Sequence, residues 1–569
     1  MHRTLLLTLL TAALTAILLA SPLQGAGAAD PLQGTGTHPQ GYAERGTPVT
    51  LGAPSGVADP PQYTIYMPMV KRSGISAPVL KWQRGGCYSS WCETGWYSSP
   101  ALVDVNGDGR DDVIASAYSL WALDGTTGAT IWSVPQTINR TWPGIVVADI
   151  DKDGAKEIVV AQSGGYLTVY RLDKTVKWQV RPTTSELRGL LAADLDGNNS
   201  TLEVVVTAAI GSKTNTWVYN SNGTLRSGWP QMSSNDGYAW GVYNDNAAAA
   251  NLDPSDPALE LVVPSDVHYI VTYKPNGASL AANTTEYPGR AYWGLVGVWE
   301  DLTVEKRGWG ECTAGYPRSE NYRPNFAGSP ATIADLNGDG QREVVVAGNV
   351  HDCSKDPYLD RYIGPFIFNK DRTRFNSSGF DWRSTPLDTG APLSEDYNLI
   401  ENAQPNPVVA DMDGDGKMEI LYASYDGRVH AFWLDKTEHG AWPFSVYQPA
   451  EGFYRFASEP VVADLDNDGQ AEVIFTSWAQ KGSNHTGKLY ILSAQGQVLY
   501  AVDLPPAFAA DWNGALPAPT LGNVDGDPDL EIVINSAHSG VLVYDLPGSA
   551  GARILWGTGR GSYLRDGAR

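Results

Sequence analysis

Positive charge is scarce in this chain: 40 Lys and Arg stand against 63 Asp and Glu, a net charge of −23. That deficit excludes a nucleic-acid partner, because gripping the phosphate backbone takes stripes of Lys and Arg. It argues equally against docking on anionic lipid. Long apolar runs are missing beyond residue 20, so no later segment offers the ~20 apolar residues that span a bilayer. Charge of either sign is modest at 18%, against 42% hydrophobic residues, which is a globular composition and not a disordered acidic one. Phe is sparse, 11 residues against 19 Trp and 28 Tyr, the aromatic usage of strands and surfaces in all-β extracellular proteins. None of the eight His sits in a metal-spaced pair, no G-x-S-x-G elbow is present, and no phosphate-cradling loop opens a helix. No catalytic residue is therefore assigned.

The N-terminus has a basic start at His2-Arg3, an apolar run from Leu5 to Ala20 and small residues Ala26-Gly27-Ala28-Ala29. This is the pattern of a cleaved secretory signal peptide, 1–28, and predicts a protein exported from the cytoplasm, without membrane insertion. A stretch to residue 75, rich in Gly, Pro, Thr and Gln, reads as a linker in which Tyr63–Val70 could form one strand. Four cysteines in an exported chain suggest two disulfides. Cys87 and Cys92 could close a small hairpin-like loop, and Cys312 and Cys353 could staple a long insertion.

Within 76–569 a motif recurs: Asp-x-Asp/Asn-x-Asp-Gly, a carboxylate three residues after the Gly, then four or five apolar β-formers. The first copy (104–112) has Asp104, Asn106, Asp108 and Asp112, and the second (149–157) has Asp149, Asp151, Asp153 and Glu157. The fifth (335–343) carries Asp335, Asn337, Asp339 and Glu343, and the sixth (411–419) Asp411, Asp413, Asp415 and Glu419. The seventh (464–472) has Asp464, Asp466, Asp468 and Glu472, and the eighth (523–531) has Asn523, Asp525, Asp527, Asp529 and Glu531. Two copies depart from the rule. The third (194–203: Asp194, Asp196, Asn198, Glu203) and the fourth (251–260: Asn251, Asp253, Ser255, Glu260) are one residue longer and lack the sixth-position Gly.

The shortest step between copies, Asp104 to Asp149, is the length of a four-stranded blade, and longer steps hold insertions. After each loop come an apolar strand, a turn, an alternating strand, an Asp/Asn-Gly turn and a Trp-bearing strand, as at Trp132, Trp178 and Trp442. No segment carries sustained helical periodicity. The expected fold is all-β, an eight-bladed β-propeller, with seven blades as the alternative. Either Val79–Trp82 or Ile554–Trp556 could supply the closing strand.

Oxygen side chains at loop positions one, three and five converge on one point, and Gly at position six permits the positive φ that bends the chain around it. Position seven offers a backbone carbonyl (Arg110, Ala155, Gln341, Lys417, Gln470), and the ninth-position carboxylate closes the cage. Numerous hard oxygen donors suit Ca²⁺ better than Mg²⁺, which keeps several waters. Five to eight Ca²⁺ are expected. An EF-hand would need a bidentate Glu at position 12, where Ala115, Val160, Val346, Tyr422 and Phe475 stand instead.

These loops resemble the calcium-binding repeats of FG-GAP/VCBS proteins, whose best-known members are integrin α-chain propellers, over about residues 95–548. The Phe-Gly and Gly-Ala-Pro halves of that motif are poorly kept. Ser99-Pro100, Ser329-Pro330, Asn406-Pro407, Glu459-Pro460 and Ala518-Pro519 lead into the loops instead. Locally, Leu120–Trp132 is similar to repeats of quinoprotein-like eight-bladed propellers, without the adjacent-cysteine pair of the quinone-dependent dehydrogenases. The resemblance implies a monomeric, calcium-stabilised binding or adhesion module for an extracellular glycan or protein. The rival is a polysaccharide-active enzyme, most plausibly a calcium-dependent lyase on an anionic glycan. Loop insertions carrying Tyr292, Trp293, Trp299, Trp309, Tyr316, Tyr322 and Arg323, and His351, Tyr358, Arg361, Tyr362 and Arg372, offer aromatic and basic surface. Packing the insertions down is the simpler role for these side chains.

Overall fold

Each acidic loop leads into a run that is apolar on both faces, and that run becomes the second strand of an antiparallel sheet. Glu157–Ala161 and Glu419–Ala423 are buried at every position, as a strand sandwiched between two neighbouring sheets must be. The strand before the loop is three small or branched residues, Ala101–Val103, Val146–Ala148 or Ala248–Ala250, because the sheets taper towards a crowded axis. Outer strands such as Val176–Val180 have only exposed and half-buried positions.

The computed structural model describes residues 74–85, 87–88, 91–92, 98–134, 139–208, 215–231, 247–264, 268–299, 302–307, 322–326, 329–352, 361–377, 379–388 and 406–569. The expected signal peptide, the linker through residue 73, Cys312 and Cys353 lie outside them. Eight sheets follow one another around a ring. Blade one is Ala101–Val103, Asp112–Ser116, Leu120–Leu123 and Thr130–Val134, and blade two is Val146–Ala148, Glu157–Ala161, Leu167–Arg171 and Val176–Val180. Blades three to seven have inner strands at Leu187–Ala193, Ala248–Ala250, Thr332–Ala334, Val408–Ala410 and Val461–Asp464. Blade eight is Thr520–Gly522, Leu530–Asn535 and Val541–Leu546, completed by Val79–Arg84 from the other end of the chain. The fold is therefore the eight-bladed propeller, and the first of the two closing candidates is the one used. Among the described residues the helical segments are Leu302–Arg307 and short 3-10 turns, and no helix is long and apolar enough to cross a membrane.

The apolar core lies between blades. One cluster joins Ala101, Ile114 and Leu120 of blade one to Ile145, Val147 and Ile158 of blade two, and another joins Trp82 and Val543 of blade eight to Leu102 and Val113 of blade one. A ring of indole clasps accompanies them. The outer Trp of one blade donates its Nε1–H to a turn carbonyl of the next: Trp82 to Gly125, Trp132 to Leu172, Trp178 to Ser221, Trp229 to Pro275, Trp382 to Leu434 and Trp442 to Ala494, at 2.7–2.9 Å. Blade seven uses Tyr500, whose hydroxyl donates to the Ile75 carbonyl at 2.8 Å.

The last residues do not add an outer strand. Arg553–Trp556 pairs with the inner strand of blade seven, Val461–Asp464, on its axial edge. From there the tail runs across the ring. The N–H groups of Leu521, Val147, Ala192, Ala249 and Ile333, in blades eight, two, three, four and five, donate to the carbonyls of Gly557, Tyr563, Leu564, Asp566 and Gly567. Arg565 spends all its donors on the carbonyls of Ile145, Gly559, Ser99 and Pro100 and the Thr558 hydroxyl, at 2.7–3.2 Å. The chain thus fills its own central channel.

Candidate metal centres and the channel mouth

The acidic loops share one internal wiring. The first-position carboxylate accepts backbone N–H bonds from positions four and six: Gly107 and Gly109 donate to Asp104 at 2.6 and 2.9 Å, and Gly414 and Gly416 donate to Asp411 at 2.7 and 3.0 Å. Position five accepts from position seven, as in Arg110 N–H to Asp108 and Lys417 N–H to Asp415. Position nine reaches back to the N–H of position two: Val105 to Asp112, Ile150 to Glu157, Leu336 to Glu343, Met412 to Glu419, Leu465 to Glu472 and Val524 to Glu531, at 2.7–3.1 Å. The sixth-position Gly residues have φ of 83–95°, the left-handed bend this wiring demands. In the longer third loop Asn199 takes that bend at φ 59° and donates to Asp194 at 2.6 Å, so its extra residue falls after the cage. The fourth loop keeps only the closing contact, Leu252 N–H to Glu260 at 2.8 Å.

Carboxylates gathered this way could hold a cation. Asp149, Asp151 and Glu157; Asp194, Asp196 and Glu203; Asp411, Asp413 and Glu419; Asp464, Asp466 and Asp468; and Asp525, Asp527 and Glu531 each bring three oxygens within 4.8 Å of one another. Burial, reinforced by the neighbouring Asp residues, pushes Glu343 and Glu472 up to about 7 and Glu419 up to about 8. Buried Oδ1 atoms of Asp151, Asp196 and Asp466, all at position three, meet no donor. An oxygen-only donor set with an orphaned carboxylate oxygen, as at Asp466 in loop seven, fits a hard divalent ion such as Ca²⁺.

The inner-strand ends opposite these loops carry different chemistry. Around one mouth of the plugged channel, Ser99, Trp142, Arg188, Asn406, Glu459 and Arg560 line a cavity of about 20 Å³, floored by the tail. That is room for about one or two waters, or for one carboxylate group. Two guanidinium groups lie against the Trp142 ring, Arg140 at 4.6 Å and Arg188 at 4.1 Å from its centroid. Both arginines share one carboxylate, Glu186, through Nε contacts of 2.5 and 2.7 Å. Arg560 N–H donates to Glu459 at 2.7 Å. Burial and the nearby Arg140 charge hold Lys481 below its usual range, and burial pushes His538 down to about 4. Trp142 also belongs to a buried aromatic cluster with Tyr425, Phe456, Trp478 and Trp512, drawn from the strands and loops of several blades. This cationic, aromatic mouth was not foreseen from the sequence. Its residues are far apart along the chain and converge only through the ring.

Of the insertion residues, Trp293, Trp299 and Arg372 are packed down and fully buried, while Tyr292 keeps 44% of its surface exposed. Glu305 anchors that packing. Arg372 and Arg374 lie 3.0 and 2.6 Å from its two oxygens, and the Tyr287 hydroxyl donates to it at 2.8 Å. Burial alone would raise Glu305, but the two arginines hold it down to about 2. Trp309, Tyr316 and Tyr358 lie outside the described residues. The backbone register places Cys87 directly opposite Cys92.

Comparison with known proteins follows the same loops. The FG-GAP-like repeat model matches residues 104–160 and 411–475. Cartilage acidic protein 1 of Mus musculus is 25% identical over 199 residues, 35% of this chain and 29% of that protein. The Homo sapiens counterpart is 24% identical over 132 residues, 23% of this chain and 20% of that protein. The chain thus spans under a third of the length of the curated relatives it matches. Among solved structures, the exotype rhamnogalacturonan lyase YesX aligns with TM-score 0.47 at 13% identity, over 83% of this chain and 76% of that one. The V. cholerae biofilm matrix protein Bap1 aligns with TM-score 0.37 at 15% identity, over 82% and 91%. The chain is an eight-bladed propeller with FG-GAP-like repeat matches in two stretches, 104–160 and 411–475.

Proposed function

We propose that this chain is a secreted, monomeric propeller, stabilised by several Ca²⁺ ions in its acidic loops, that works as an extracellular binding module. Its ligand carries a carboxylate, on a glycan or on a protein side chain, and meets the channel mouth. The observation that carries this reading is the pair Arg140 and Arg188, partly exposed guanidinium groups beside Trp142 at the mouth, in a chain of net charge −23. Aromatic faces stack on sugar rings or on apolar side chains, and guanidinium groups meet carboxylates in a matched fork. The cavity admits an acidic head group while the rest of the ligand lies on Tyr447 and Tyr454, half-buried rings packed against the buried aromatic cluster. The opposite Cys87 and Cys92 are read as a disulfide, in keeping with export.

An array of neutral and uronate-bearing glycans and acidic peptides tests this. Retention of acidic members, weakened at least tenfold by Arg188→Gln, supports the reading. Equal retention of neutral members, or none of any, refutes it. A lyase is the second reading, favoured by Lys481 and His538, both displaced towards their neutral forms beside the mouth. Unsaturated, ultraviolet-absorbing uronate released from an acidic polysaccharide would establish the lyase instead.

A further inference from the structure

The acidic loops do not share the same surroundings. Where an outer strand nears its aromatic clasp, the ladder to the third strand slips by one residue in blades eight, one, two and seven. The residues left unpaired by the slip are Lys81, Ile131, Lys177 and Leu499. A bulge of this kind re-aims one side chain. In blade two it sends Lys177 into the acidic loop of its own blade, with Nζ 2.5 Å from Asp151 Oδ2 and 2.7 Å from Glu157 Oε1. In blade eight Lys81 Nζ pairs with Asp525 and lies 3.0 Å from Glu531 Oε1. Blade three reaches the same arrangement with Arg226, whose guanidinium stands 2.9 Å from Asp196 Oδ2 and 2.6 Å from Glu203 Oε1. In all three blades the partners are the third-position carboxylate and the one that closes the loop.

We propose that Lys81, Lys177 and Arg226 are built-in cations. They neutralise loops two, three and eight, and divalent ions enter only loops one, five, six and seven. The inference rests on the reading of the loops as divalent-ion sites. Calcium sits about 2.3–2.6 Å from its oxygens, so the Lys177 nitrogen occupies the place an ion would take between the two carboxylates. Only 12% of that side chain is exposed, and an ion would have to expel it. One ammonium faces one oxygen of each carboxylate, which leaves Asp151 Oδ1 without a donor. Blades one and seven have apolar Ile131 and Leu499 at the same bulge and send no charge inward. Among the described residues of blades five and six, no outer-strand lysine or arginine pairs with the third or ninth position. Arg553 stands 3.6 Å from Asp464, at the first position of loop seven, and remains 57% exposed. The fourth loop has carboxylates at only two of its ligand positions, Asp253 and Glu260, with Lys370 3.4 Å from Asp253, and takes no ion.

Anomalous scattering from crystals of the full chain grown in excess calcium tests the assignment, with bound calcium counted by equilibrium dialysis. The expected result is peaks in loops one, five, six and seven, about four ions per chain, and one more ion in Lys177→Met and in Lys81→Met. A peak in loop two, three or eight of the native chain overturns the inference and leaves the loops as calcium sites. A folded Lys177→Met chain that gains no ion also overturns it. If the substituted chains fail to fold, the native map decides. Peaks in no loop at all overturn the inference together with the calcium reading beneath it.

Discussion

Trp82 Nε1 donates to the Gly125 carbonyl at 2.8 Å, so the outer strand of blade eight is clasped to the first turn of blade one. The bond crosses the seam where the ring closes. The Trp82 ring presses on Gly128, whose φ of 69° and lack of a Cβ let the indole lie flat against the turn. Replacing Trp82 by Ala removes both packing and clasp and is expected to cost about 3–5 kcal/mol. Trp82→Phe keeps most of the packing and strands one carbonyl, a loss nearer ~1 kcal/mol. Denaturant unfolding distinguishes the two. Equal losses would mean the hydrogen bond and not the ring carries the seam.

His430 predicts a pH dependence. It is fully buried, with Asp426 Oδ2 2.9 Å from Nε2 and Glu438 Oε1 3.1 Å from Nδ1, and it stacks on Tyr422. Burial opposes its charge, but Asp426 and Glu438 outweigh burial and raise it to about 9. A raised folded value stabilises fully below the ordinary histidine value of about 6.5 and is lost as pH rises through about 9. The native chain is therefore expected to lose melting temperature between pH 7 and 9.5, and His430→Gln is expected to flatten that slope. An identical slope in both chains would exclude His430 as its source.

The tail gives a third prediction. Arg565→Met leaves buried carbonyls of Ile145, Gly559, Ser99 and Pro100 without their donor. Buried groups stripped of charge-assisted hydrogen bonds cost several kcal/mol in total, about 3–5 kcal/mol here. Removal of residues 553–569 should destabilise further, since the inner strands of six blades lose backbone partners. A truncated chain melting at the native temperature would contradict the plug as a structural element.

Much of this was legible in the sequence. Eight copies of the acidic motif, two of them one residue longer, pointed to eight blades with seven as the alternative, and Gly109, Gly154, Gly340, Gly416 and Gly469 marked the bend that the structure shows at positive φ. Short-range patterns survive folding because their partners are a few residues apart. The closing strand was ambiguous because Val79–Trp82 and Ile554–Trp556 have similar apolar character, and only the tail's route through the channel separates them. Lys81 and Lys177 were passed over as ordinary strand residues, since a bulge that turns a side chain inward leaves no periodic trace. The mouth was invisible for a different reason: Ser99, Arg188, Asn406 and Arg560 come from separate blades and the tail.

Loop rank gives a fourth prediction. Asp413 sits in a fully wired loop, where its Oδ2 also accepts from Trp433 Nε1 at 3.0 Å, whereas Asp253 belongs to the loop that keeps only its closing contact. With calcium present, Asp413→Ala is expected to lower the melting temperature clearly more than Asp253→Ala. With EGTA present the gap should shrink to the Trp433 contribution, on the order of 1 kcal/mol. Equal shifts under both conditions would mean that the wiring does not rank the loops.

The propeller is expected to owe much of its stability to divalent ions that bind the folded loops and not the unfolded chain. Ions that bind only the native state stabilise it by mass action, by about 2.7 kcal/mol per site at a hundredfold excess over the dissociation constant. The direct test is the melting curve of the full chain in calcium and in excess EGTA. A fall of many degrees on chelation, reversed by added calcium, is the predicted result. Superimposable curves would contradict it.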